Sequence, residues 1–146
     1  MSLFDIFRRK PRVTHPVFGS IVYADASTWE CGRVHFSPLS KDVEVLITAG
    51  PAGPTDDHVC FFRELESRWT TLSLACAPLI RSALGEWIET PEKGDILARV
   101  TIESLPVFEK LNPEDEWELQ FWCEEASHWP TVVMKGWIPQ SCYVDG

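Results

Sequence analysis

The sequence predicts an α+β fold: an antiparallel sheet built from two three-strand halves, packed against a central helix that Pro78 kinks or splits. Three observations lead there. Apolar residues alternate along residues 17–48 and again along 96–144. Between them lies a stripe of apolar residues spaced three and four apart. A stretch dense in Gly and Pro, residues 49–54, separates the first strands from that stripe. Strands, then helix, then strands in one run is the α+β order.

Residues 1–14 read as a basic arm with one or two helical turns, carrying Leu3, Phe4, Ile6 and Phe7 on its apolar side. Pro11 and Pro16 stop that helix. Residues 15–146 read as one domain. Its first strands are expected at residues 17–23, 29–36 and 42–48, where Val43, Val45 and Ile47 alternate with polar neighbours. Turn residues Asp25-Ala26-Ser27 and Ser37-Pro38-Leu39-Ser40 connect them into a meander.

Thr55 is placed to cap the helix, with Asp56 and Asp57 at the positive end of its dipole. Phe62, Leu65, Trp69, Leu72, Cys76, Leu79 and Ala83 form the stripe. Pro78 removes the hydrogen bond to Leu74, hence the expected kink or division. The second half predicts strands at residues 96–103, 117–123 and 132–138, with residues 140–144 extending the last.

The composition bounds the function. The chain has 146 residues, 45% of them hydrophobic, and a mean hydropathy of -0.09, as expected of a globular domain. No apolar run approaches the roughly 20 residues that span a bilayer. The N-terminal apolar stretch is shorter than a signal peptide requires, and its basic residues follow it, so cytoplasmic residence is expected. Five cysteines, an odd number without a C-x-x-C, read as small core residues in a reducing compartment, with one reactive thiol as the alternative.

Charge is unevenly distributed. Residues 1–12 carry four basic residues against Asp5, a net of +3, which leaves nine basic and 21 acidic residues, a net of -12, for the rest. Such a body repels phosphate backbones and anionic lipid, so neither nucleic acid nor stable membrane association is expected. A basic protein partner suits it.

Catalytic and metal signatures are missing from the sequence. The histidines His15, His35, His58 and His128 show no metal-ligand spacing, and no metal or cofactor is expected. No G-x-S-x-G or catalytic-cysteine signature occurs, and residues 50–54 place proline where a phosphate cradle needs N–H groups. His58 and Cys60, near the helix start, are the best sequence candidates for a nucleophilic pair. Burial in the core is the plainer reading of Cys60, among Val59, Phe61 and Phe62, and no catalytic residue is assigned.

Seven tryptophans are the most informative feature: Trp29, Trp69, Trp87, Trp117, Trp122, Trp129 and Trp137. Indole serves cores and recognition surfaces alike. If Trp117, Leu119, Phe121 and Cys123 face inward, Trp122 points outward with Glu118, Gln120 and Glu124. Trp122, Glu118 and Glu124 are therefore the first candidate partner-binding residues, with Trp129 and His128 beside them in the connecting loop. Coverage of Trp122 by other elements is the competing reading.

The opening His15-Pro16-Val17-Phe18-Gly19, the Trp29 strand, the central helix and the tail His128, Val132, Asp145-Gly146 resemble small bacterial families of unknown function. These begin with an HPxFG strand, and the resemblance spans residues 15–146. Some domains of this organisation resemble immunity proteins that neutralise a toxin, which implies a non-catalytic binding role. The alternative is a small-molecule-binding domain or small hydrolase with a pocket between helix and sheet near His58, Cys60 and His128. A homodimer subunit, pairing through the helix stripe or a sheet edge, is the third expectation.

Overall fold

The computed structural model describes residues 10–25 and 27–145, so most of the expected helical arm lies outside the described residues. The fold is α+β, with eight strands in two sheets and one long helix among the described residues. The first sheet holds β1 (Arg12–His15), β2 (Gly19–Asp25), β3 (Thr28–Phe36), β4 (Lys41–Thr48) and β5 (Ser104–Val107), in that order. The second holds β6 (Glu116–Gln120), β7 (Trp129–Lys135) and β8 (Ile138–Asp145), all antiparallel. Helix α1 (Asp56–Ala83) packs against both.

Phe61 and Phe62 show how one helix serves two sheets. Adjacent residues project about 100° apart around a helix axis. Phe62 reaches Phe18 at 5.6 Å and Phe36 at 6.0 Å between ring centroids, in the first sheet's layer. Phe61 instead stacks on Trp137 at 5.3 Å and meets Trp117 edge-on at 6.3 Å. Each fully buried ring of this size contributes roughly 1.5–3 kcal/mol by leaving water. The buried residues form a single core spanning both sheets and α1.

The N-terminal boundary differs from expectation. Residues 12–14, expected in the arm, pair with β2 as part of β1. The His15-Pro16-Val17-Phe18-Gly19 stretch is not strand throughout: Pro16, Val17 and Phe18 form a three-residue hairpin loop between His15, which ends β1, and Gly19, which opens β2. His15 Nδ1 accepts from the backbone N–H groups of Val17 (3.1 Å) and Phe18 (3.3 Å). Gly19 takes a φ of 68°, the left-handed position such loops require.

The expected three-strand halves become five strands and three. Crossover through α1 allows β5 to pair parallel to β4, a long-range pairing that no local pattern reveals. Residues 96–103 do not form the expected strand. Ile96–Arg99 is a 3₁₀ turn, capped by the Asp95 carboxylate accepting from Leu97 N–H at 3.0 Å. This short-range capping overrides the alternation, and the strand starts only at Ser104.

The expected strand at residues 132–138 contains a hairpin. Lys135 pairs with Ile138, leaving Gly136 and Trp137 as a two-residue loop. Gly136 has φ 53°, and a Cβ there would lie 3.0 Å from the Pro113 carbonyl oxygen. Only glycine meets both demands.

Helix α1 is not divided. It runs unbroken through Pro78, which is exposed, as is Leu74, whose carbonyl loses its partner there. Water can satisfy that carbonyl on the solvent face. Beyond Cys76 the buried stripe passes to Ile80 and Leu84 in place of the expected Leu79 and Ala83. A helix with 3.6 residues per turn drifts away from a strict three-four spacing.

Candidate functional site

Besides the shared core, one backbone bridge ties the two sheets together among the described residues. Thr101 and Trp122 form an antiparallel bridge with both hydrogen bonds at 2.8 Å, joining the segment that leads into β5 to the end of β6. Beyond Gln120 the β6–β7 pairing continues: Phe121 N–H donates to Pro130, and Cys123 and His128 exchange hydrogen bonds. This leaves Trp122 directly opposite Trp129 in the intervening position without hydrogen bonds, where side chains are closest. Their ring centroids are 4.7 Å apart, and both residues are half-buried.

Alternation puts the pair on the outer face of the second sheet. Trp117, Leu119, Phe121 and Cys123 are buried inward, as the sequence predicts. Outward lie Glu118 and Gln120 on β6, Thr131 on β7 and Tyr143 on β8. The Glu124 carboxylate accepts from the Trp122 indole N–H at 2.8 Å, which fixes the ring's orientation. Asp145 pairs opposite Trp129. No ion pair among the described residues engages Glu118, Glu124 or Asp145.

Tyr143 spans this face. Its hydroxyl donates to Glu118 at 3.0 Å, reaching from β8 to β6 across β7. The hydrogen bond to Glu118, first of all, and the nearby negative charge raise the Tyr143 phenol above its ordinary 10. Thr131, opposite Tyr143 on the intervening strand, is 1% exposed; its Oγ1 makes no well-formed hydrogen bond to a described residue but lies close enough to the Tyr143 hydroxyl to oppose part of that rise. Four of the five sequence candidates, Trp122, Glu118, Glu124 and Trp129, thus share one surface.

His128 is not on it. As the neighbour of Trp129 it faces the opposite side of β7, where its ring lies 4.1 Å from that of Trp87. Its Nδ1–H donates to the Ala126 carbonyl at 2.6 Å. The turn at residues 124–127 is held by Arg99, which binds the Glu125 carboxylate through Nη2 (2.7 and 2.9 Å) and the carbonyls of Glu89 and Thr90. Tyr143 and Thr131 escape sequence reasoning, because their place on the face depends on the β7–β8 register.

The remaining tryptophans divide between core and surface. Trp29 donates to the Gly50 carbonyl at 2.9 Å and Trp117 to that of Gly136 at 2.6 Å, both from buried positions. Trp69 is buried edge-on to Phe36 at 5.1 Å. Trp87 is exposed, and half-buried Trp137 lies under the Arg68 guanidinium at 4.9 Å.

The expected pocket at His58, Cys60 and His128 is absent as a constellation. His58 is 2% exposed and structural. Its Nδ1 accepts from Thr55 N–H at 3.0 Å, so its Nε2–H donates to the Thr48 carbonyl at 2.8 Å. It fills the capping-box role usually taken by Glu or Gln. Cys60 is exposed on the helix, and none of the three residues lines a described cleft. Burial of the thiols raises Cys31 and Cys76 to about 12 and Cys142 to about 11. Among the described residues no three metal-ligating side chains converge, and no helix is long and apolar enough to cross a membrane.

The largest described cleft, about 260 Å³, lies elsewhere, between α1 and the segment entering β5. No protein-family model matches this chain, and no curated protein or solved structure matches it.

Proposed function

We propose that this chain is a non-catalytic, cytoplasmic protein-binding domain that holds a basic partner on the outer face of its second sheet. An immunity-type role, neutralising a toxin, is the form of that reading implied by the sequence resemblance. The Trp122–Trp129 pair carries it: two indoles, half-buried on an outer sheet face, beside the carboxylates of Glu118, Glu124 and Asp145, which no ion pair among the described residues engages. Large aromatic anchors with a charged rim are the composition of an interface hot spot. The rim steers a basic partner, and the rings supply the desolvated contact.

The test is capture of partners from lysate by wild type, Trp122→Ala and a Glu118→Lys/Glu124→Lys double variant, at low and high salt. A basic protein held by wild type, lost by both variants and weakened by salt is the expected result. Retention unchanged in both folded variants moves the interface elsewhere.

A further inference from the structure

We propose that the cleft between α1 and the segment entering β5 binds a small apolar molecule carrying one carboxylate, about the size of a single aromatic acid. This site is separate from the protein-binding face.

Its floor is apolar and buried, built from Trp69 and Ser73 of α1, Val100 and Ile102 before β5, and Phe121 after β6. Leu39, Leu97, Thr101 and Lys41 form the rim. The 3₁₀ turn Ser37–Leu39, closed by Ser40 at φ 50°, delivers Leu39 and then Lys41 to this edge. The volume, about 260 Å³, exceeds the roughly 150 Å³ of an apolar cavity that accepts one benzene ring. It falls short of the roughly 300 Å³ at which pockets for larger ligands begin. One ring or a short chain fits; a nucleotide does not.

Polarity selects the head group. Among the described residues Lys41 is the only charged one lining the cleft, and no described carboxylate forms an ion pair with it. The Thr101 side chain at the rim and the Ser73 side chain on the floor add hydroxyl groups to the lining. A wholly apolar ligand would dehydrate the Lys41 ammonium without giving it a partner, at a cost in affinity. A cationic ligand would meet Lys41. Phosphate groups favour arrays of several N–H donors or Arg forks, whereas a single carboxylate needs only a point charge and one or two donors.

Sodium benzoate and its neutral counterpart benzamide are the probes. Binding is read from the Trp69 indole N–H resonance, assigned through Trp69→Phe. The expected result is a saturable shift with benzoate, with at least tenfold weaker binding of benzamide. Lys41→Met should bring benzoate down to the benzamide level without altering benzamide, and Thr101→Trp, at the exposed rim, should block both. Absence of a saturable benzoate response in the millimolar range overturns the proposal. So does equal affinity for the two probes, or undiminished benzoate binding by Lys41→Met.

Discussion

Trp122 and Trp129 face each other across the β6–β7 hairpin with ring centroids 4.7 Å apart, and the Trp122 N–H is anchored on Glu124 at 2.8 Å. Cross-strand aromatic pairs contribute about 0.5–1.5 kcal/mol beyond area burial. Trp122→Ala is therefore expected to cost about 1–2 kcal/mol and leave the fold intact, because the residue is only half-buried. Urea denaturation measures the loss, and circular dichroism should show the coupled-indole signal disappear with either Trp122→Ala or Trp129→Ala. Global unfolding of Trp122→Ala would make the pair a core element instead.

Thr131 Oγ1 is buried without a well-formed hydrogen bond to any described residue, on the strand beneath the Tyr143–Glu118 hydrogen bond. Thr131→Val keeps the branched shape and removes that hydroxyl. The variant should be more stable than wild type by about 1 kcal/mol, read as a rise in Tm.

Glu66 gives stability an acid-sensitive term. Burial alone would raise its carboxyl, but hydrogen bonds from Arg63 (2.8 Å) and the Ser37 backbone (3.2 Å) outweigh that and hold it below its ordinary 4.5. A folded-state value below the unfolded one adds stability that is fully present above pH 4.5. That stability is lost as pH falls through the lower folded value. Glu66→Gln should cost about 1 kcal/mol near neutrality, and the gap to wild type should close as the solution is acidified. Parallel denaturation curves at several pH values check both parts.

His58 joins the start of α1 to the end of β4 through Thr55 and Thr48. His58→Ala leaves the Thr55 N–H and the Thr48 carbonyl without their partner and opens a space at a buried position, for a loss of about 2–3 kcal/mol. His58→Gln, which can remake the capping bond, should recover part of that. Equal losses in the two variants would mean that packing, not capping, holds the helix start.

Thiol accessibility follows the burial pattern. Cys60 is exposed, while Cys31, Cys76 and Cys123 are buried. Under native conditions a thiol reagent should modify Cys60 first, with Cys31 and Cys76 reacting only on unfolding, because burial raises both to about 12. Mass spectrometry of peptides from briefly labelled protein reports the order.

Local periodicity determined a good deal by itself. The inward set Trp117, Leu119, Phe121 and Cys123, the strands around Val43–Ile47, and the helix from its Asp56 start are all legible in the sequence, because side-chain period and capping chemistry act within a few residues. The outward direction of Trp122 follows from the same alternation. Where two short-range signals competed, the pattern misled: Asp95 capped a 3₁₀ turn inside an apparent strand, and Gly136 folded another apparent strand into a hairpin.

Only the tertiary structure decided what lies beside what. The parallel pairing of β4 and β5, the meeting of Trp122 with Thr101, the placing of Tyr143 on the face with Trp122 and the covering of His128 by Trp87 each join residues far apart in the chain. Such contacts are selected by how well whole faces exclude water and fill space together. That free energy belongs to the assembled core and leaves no mark at the spacing of neighbouring residues.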